Sequence, residues 1–154
     1  MTVYKDFRKA DLHVHLNGAM PVTTFMNLFG KSDYRKYNPA YVIQTPVKNL
    51  IEYFKPWAYM RGLISSKERF FFMVEGIAKS LSDENISYVE LRNSIIYLAQ
   101  LNSISYEEVL DWFVESFVIF GEKYGIDMRL IISVRREYNQ MEEYFKILKI
   151  VHET

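Results

Sequence analysis

The 154-residue chain contains no cysteine. That excludes a disulfide framework, a thiol nucleophile and any Cys-ligated zinc, the Pro-Cys-x-x-Cys kind included. Charge of one sign is missing too: 19 Lys and Arg meet 19 Asp and Glu. Without a basic excess there is little to displace phosphate counterions, so no nucleic-acid partner is expected. Long hydrophobic runs are absent. The charge-free stretches Leu16 to Gly30 and Asn93 to Tyr106 are too short and too polar to span a bilayer. Lys5, Asp6, Arg8, Lys9 and Asp11 interrupt the opening residues where a signal-peptide core would lie. A cytoplasmic protein with no membrane contact is expected, and the chain has neither a fixed-period repeat nor a low-complexity tract.

What is present is globular material. Hydrophobic residues make up 49% and charged ones 25% of a length that suits one domain. The 12 Tyr, 11 Phe and 2 Trp supply much apolar surface that must find cover. Three segments read as strands, near 9–16, 86–94 and 127–135. In the first, Leu12, Val14 and Leu16 alternate with Asp11, His13 and His15 at the period of two of a pleated strand. The other two are rich in β-branched or aromatic residues.

Helices separate them. Ser65-Ser-Lys-Glu68 reads as a capping box, followed by Phe70, Met73, Val74, Ile77 and Leu81 at helical spacing. Ser105-Tyr-Glu-Glu108 is a second box, opening a helix with Leu110, Phe113, Val114, Phe117 and Phe120 inward and Gly125 as its stop. A shorter helix follows Pro21, and the excursion 31–62 holds a short helix near Val47 to Phe54. Excursions of this size are often lids or binding loops. A last capped helix carries Met141, Tyr144, Phe145, Leu148 and Val151 and runs to Thr154 with no stop signal, an arrangement expected to need further elements. Strand alternating with helix predicts βαβ units in a parallel sheet.

One constellation carries chemistry. His13 and His15 leave the same face of the first strand, with Cα atoms about 6.5–7 Å apart. Two imidazoles so placed can converge on one metal ion with bonds of about 2.0–2.1 Å. Asn17-Gly18 follows, which sets the pair at the carboxyl end of the strand, where α/β sheets and barrels place their sites. A chance His-x-His on a half-buried strand is the alternative.

The longer string Lys9-Ala-Asp-Leu-His-Val-His-Leu-Asn-Gly-Ala19 resembles the opening motif of the adenosine/AMP deaminase family. Tyr88-Val-Glu-Leu-Arg-Asn-Ser94 is similar to its second-strand motif, and Arg129 to Arg136 to its third strand. Leu50-Ile-Glu-Tyr-Phe54 through Tyr59-Met60 looks like its lid helix. Related His-x-His enzymes fit less well: phosphoesterases follow the pair with Thr and a later Ser-Asp-Gly, and dihydroorotase-like amidohydrolases with Leu-Arg.

The resemblance implies the N-terminal portion, about three βα units, of a metal-dependent (β/α)8 barrel over residues 1–154, with a helical lid insertion after the first strand. It implies a zinc ion that activates a water to attack purine C6. His13 and His15 match two of the zinc ligands. Asn17, Gly18, Ile51, Phe54 and Ser94 would contact the purine nucleoside or nucleotide. Asn17 stands where most adenosine deaminases have Asp, whereas the adenosine-deaminase-like branch associated with N6-methyl-AMP has Asn; a neutral amide can hydrogen-bond a 5′-phosphate that a carboxylate would repel. A structural role at a strand-to-turn boundary is the other reading of Asn17. Glu90 and Arg92 share a strand face and are expected to pair, while Arg135-Arg136 reads as structural or solvated.

The family's third His ligand, Asp ligand and proton-donating Glu have no counterpart here, and His152 reads as an ordinary helix residue. The chain alone is therefore expected to be inactive, its remaining strands supplied by the same parent or by a second chain. A non-catalytic barrel module serving assembly or binding, and another His-x-His amidohydrolase or phosphoesterase, are the alternatives.

Overall fold

In the computed structural model the described residues are 4, 6–29, 46–134 and 141–153, without the side chains of 55–59 and 61. Expectations for 31–45 of the lid excursion and for Arg135-Arg136 fall outside them. Three strands form one sheet: β1 (Lys9–His15), β2 (Ile86–Asn93) and β3 (Asp127–Ile132). Their order is β1-β2-β3, and both pairings are parallel. Each strand stops short of its expected end. Leu16 opens a 3-10 turn over Leu16–Ala19, Ser94 caps the next helix, and beyond Ile132 the Ser133 amide still donates to Asn93 O at 2.8 Å.

Six helices are described: α1 (Val22–Phe29), α2 (Leu50–Arg61), α3 (Lys67–Asp83), α4 (Ile95–Asn102), α5 (Tyr106–Tyr124) and α6 (Met141–Glu153). Their ends have local causes. Ser105 Oγ accepts from the Glu108 amide at 3.1 Å, the expected capping contact, and α5 stops at Gly125 with φ 69°. On α3 the cap is one residue later than expected: Ser66, not Ser65, accepts from the Arg69 amide at 3.3 Å. Helix α2, expected near Val47 to Phe54, begins at Leu50 behind Asn49, whose Oδ1 accepts from the Glu52 amide at 3.0 Å, and runs on to Arg61. Helix α4 has no forecast in the sequence reading. It packs Ile95, Ile96, Leu98 and Ala99 inward from a cap at Ser94.

Helices cover one face of the sheet. Along β2 the burial alternates, with Val89, Leu91 and Asn93 buried and Tyr88, Glu90 and Arg92 half-buried on the other side. Phe70, Met73, Val74 and Ile77 of α3 and Val109 and Phe113 of α5 are buried as part of one core. Phe70 meets the Phe113 ring edge-on at 4.8 Å, and Trp112 lies 5.9 Å from Phe70. One expectation for a helix face fails: Val114 of α5, read as inward, is 61% exposed. On α6 only Tyr144 and Ile147 are buried while Phe145 is 64% exposed. Both lie on apolar stripes wider than the surface available to receive them.

Candidate functional site

The site sits at the carboxyl end of β1. The strand does not run evenly against β2: between the pairs Asp11–Val89 and Val14–Leu91 it takes one residue more than its partner. Such a bulge re-aims the side chains around it. Here it leaves Leu12 exposed, against the simple alternation expected of it, while Val14 packs on the core. His13 and His15 emerge together on the accessible side, ring centroids 5.5 Å apart and planes tilted by 46°. The Asp11 carboxylate accepts from the His13 amide at 3.3 Å.

Arg92 reaches this pair from β2. Arg92 and His15 are partners in the ladder, and the Arg92 guanidinium Nη1 lies 2.6 Å from His13 Nε2. The expected Glu90–Arg92 pair gives way to this contact, and Glu90 instead accepts from the Tyr88 hydroxyl at 3.0 Å. Partial burial first, then the Arg92 charge, then His13, hold the His15 pKa below the usual imidazole value. Sequence reasoning missed the Arg92–His13 contact. Its one trace is position, because His15 ends β1 and Arg92 stands one residue from the end of β2.

Asn17 and Gly18 occupy the 3-10 turn directly after His15. Asn17 Oδ1 is buried without a hydrogen-bond partner. Ser94, expected to line a pocket, spends its hydroxyl on capping α4, where it accepts from the Tyr97 amide at 3.4 Å. Ile51 and Phe54 are 78% and 54% exposed on α2, with Phe54 packed edge-on against the Tyr53 ring at 5.2 Å. A separate cleft between α3 and α5, lined by Lys67, Glu108, Asp111, Trp112, Val114 and Glu115, lies on the outer helical layer and includes no residue of β1.

The donors suit a transition metal in kind and in face, but not in number. Among the described residues no third His, Asp or Glu gathers with the two imidazoles. One of those imidazoles is already engaged by a guanidinium. The described residues do not by themselves form a closed metal site, which takes three or four protein ligands.

The sequence model of the adenosine deaminase family matches residues 8–153. The chain belongs to the adenosine deaminase family. It is 28% identical over 99 residues to the adenosine deaminase of Streptococcus agalactiae, covering 58% of this chain and 28% of that protein. It is 27% identical over 138 residues to the human N6-methyl-AMP deaminase, covering 86% of this chain and 38% of that one. Among solved structures, the Arabidopsis N6-mAMP deaminase superposes with TM-score 0.77 at 22% identity, over 99% of this chain and 48% of its own. A Burkholderia ambifaria amidohydrolase with bound zinc does so with TM-score 0.76 at 19% identity, over 97% and 42%. The chain thus spans less than half the length of these relatives. Its three parallel strands and flanking helices have the fold of part of the (β/α)8 barrel of these solved structures, about half of it. No helix among the described residues is long and apolar enough to cross a membrane.

Proposed function

We propose that the chain is the N-terminal part of a zinc-dependent purine nucleoside or nucleotide deaminase, acting in the cytoplasm, whose hydrolytic reaction releases ammonia or an amine from purine C6. The observation that carries this reading is the convergence of His13 and His15 at the carboxyl end of β1, in a chain matched to the family from residue 8 to residue 153. In this reading residues 1–154 form a partial barrel, with the lid excursion at 31–62. His13 and His15 are two of the zinc ligands, and the others come from strands outside this sequence, in the same parent or a second chain. Gly18, Ile51, Phe54 and Ser94 belong to the substrate pocket. So does Asn17, whose buried, unpartnered Oδ1 supports a ligand-facing amide.

A second reading, a non-catalytic module serving assembly or binding, is favoured by the missing third metal donor among the described residues. One experiment separates the two. The chain is assayed for zinc content and for ammonia or amine release from adenosine, AMP and N6-methyl-AMP. It is tested alone and together with the complementary C-terminal part of a relative's barrel. Silence alone and zinc-dependent release from the completed barrel support the deaminase. A completed barrel that holds zinc on neither His13 nor His15 and releases nothing supports the module.

A further inference from the structure

Helix α6 turns two faces to different surroundings. Tyr144 and Ile147 are buried, whereas Met141, Phe145, Leu148 and His152 are exposed. These four follow one another in steps of four, three and four residues, the spacing that keeps side chains in one line along a helix. The line lies about a quarter-turn round the helix from the buried pair. It reads the same from either end. Glu142 and Lys149, both exposed, stand on its flank away from the core, two turns apart on one side of the helix. Lys149 meets Glu153 of its own helix only at 3.9 Å.

We propose that this line is a docking surface for a second copy of the chain, the two α6 helices packing antiparallel about a two-fold axis. The axis passes between positions 146 and 147. A two-fold contact is self-complementary, so every pairing across it is made twice. Phe145 packs on Leu148 of the second copy, and Met141 on its His152. Antiparallel packing also brings like flanks together, so Glu142 faces Lys149 of the second copy and Lys149 faces its Glu142. A parallel pairing would set that flank against the opposite one, where Tyr144 and Val151 stand and no charge does. Charge therefore selects the antiparallel register. Helix α5 carries exposed apolar residues too, Val114, Val118 and Ile119, but Asp111, Glu115 and Glu122 border them. Two copies meeting there would set acid against acid. The 13 residues of α6 make a helix about 20 Å long, which puts the contact among small interfaces, below about 1,200 Å². The dimer is accordingly weak and disperses at the dilution of a denaturant titration. It does not rest on the deaminase reading.

Sedimentation equilibrium of the 154-residue chain from micromolar to millimolar concentration tests this. Dimer is expected at the upper end and monomer at the lower. Leu148→Glu, a change at an exposed position, is expected to stay monomeric throughout with an unchanged circular dichroism spectrum. Glu142→Lys and Lys149→Glu each set like charges together and should each raise the dissociation constant about tenfold. The double variant exchanges the two charges and should return to within about twofold of wild type. That exchange decides the matter even if Leu148→Glu fails to fold. A wild type that stays monomeric at millimolar concentration overturns the proposal. So does a one-to-one complex of that monomer with the complementary part of a relative's barrel, which gives the line to the rest of the barrel. A dimer unmoved by Leu148→Glu overturns the α6 surface, and a double variant no tighter than the singles overturns the antiparallel register. Zinc content and ammonia release test the deaminase reading separately, at residues none of these variants alters.

Discussion

Thr24 of α1 packs directly on the bare Cα of Gly76 in α3. A Cβ added to Gly76 would lie 2.2 Å from Thr24 Oγ1 and 3.0 Å from Thr24 Cβ. Thr24 is buried and β-branched, so it has little freedom to turn aside. Gly76→Ala gains about 1 kcal/mol of helix propensity but must force the two helices apart, which costs about 1–3 kcal/mol. Net destabilisation is expected, visible as a lower urea midpoint with an unchanged slope. The double variant with Thr24→Ala should recover much of the loss.

Gly121 poses a stricter case, because what it faces is main chain. A Cβ there would stand 2.7 Å from Ile126 O, just past the Gly125 stop. The same turn is closed by the Ile126 amide donating to Gly121 O at 2.9 Å. Gly121→Ala should therefore cost at least as much as Gly76→Ala, on the order of 2 kcal/mol, and no single side-chain deletion should rescue it. Thermal melts of the two glycine variants, each with its candidate rescue, check the contrast.

Helix α6 gives a paired prediction. Ile147 is buried and Leu148, its neighbour, is 61% exposed. Ile147→Ala is expected to cost about 2–4 kcal/mol, whereas Leu148→Ala should stay within about 0.5 kcal/mol. Equal losses in denaturant titrations would show that the exposed stripe of α6 is covered in solution.

Tyr106 ties the start of α5 to Glu143 near the start of α6 through a hydrogen bond from its hydroxyl to the carboxylate. Burial, followed by that bond, pushes the Tyr106 pKa up to about 12. The bond to Tyr106 in turn holds the Glu143 carboxyl below its ordinary value. The signs differ. A raised tyrosine pKa favours the protonated form in the native state, so its contribution is complete below about pH 10 and declines as pH rises towards the folded value. A lowered Glu143 contributes above the ordinary carboxylate pKa and is lost as pH falls through its folded value. Tyr106→Phe should flatten the alkaline decline and cost about 1 kcal/mol at neutral pH. Urea midpoints collected from acid to alkaline pH for both proteins decide it.

Much of the fold was legible because it is written in local chemistry. A period-two run marks β1, β-branched and aromatic residues mark β2 and β3, the Ser105 hydroxyl starts α5, and Gly125 ends it in a left-handed turn. The paired imidazoles were legible for the same reason, since His13 and His15 are two residues apart. What stayed hidden depends on partners distant in sequence. Arg92 turns to His13, 79 positions away, while the strand pattern offered it Glu90. The bulge at Leu12–His13 is set by the register against β2, which alternation within β1 does not encode. Ser94 looked like a pocket residue because the helix it caps, α4, is nearly apolar all round and shows little amphipathic period.

The place of β2 in the sheet has a consequence for how the molecule opens. Among the described residues it alone has a hydrogen-bonded strand on each side, whereas β1 and β3 each have one. Its inward residues Val89 and Leu91 are fully enclosed by the helices. Amide protons of β2 should thus be the slowest in the chain to exchange with deuterium, released only when the whole unit unfolds, while outward amides of the flanking strands exchange by local fraying. The strand that carries Arg92 is then the last piece of the sheet to let go, and the histidines hang on one of the two that loosen before it.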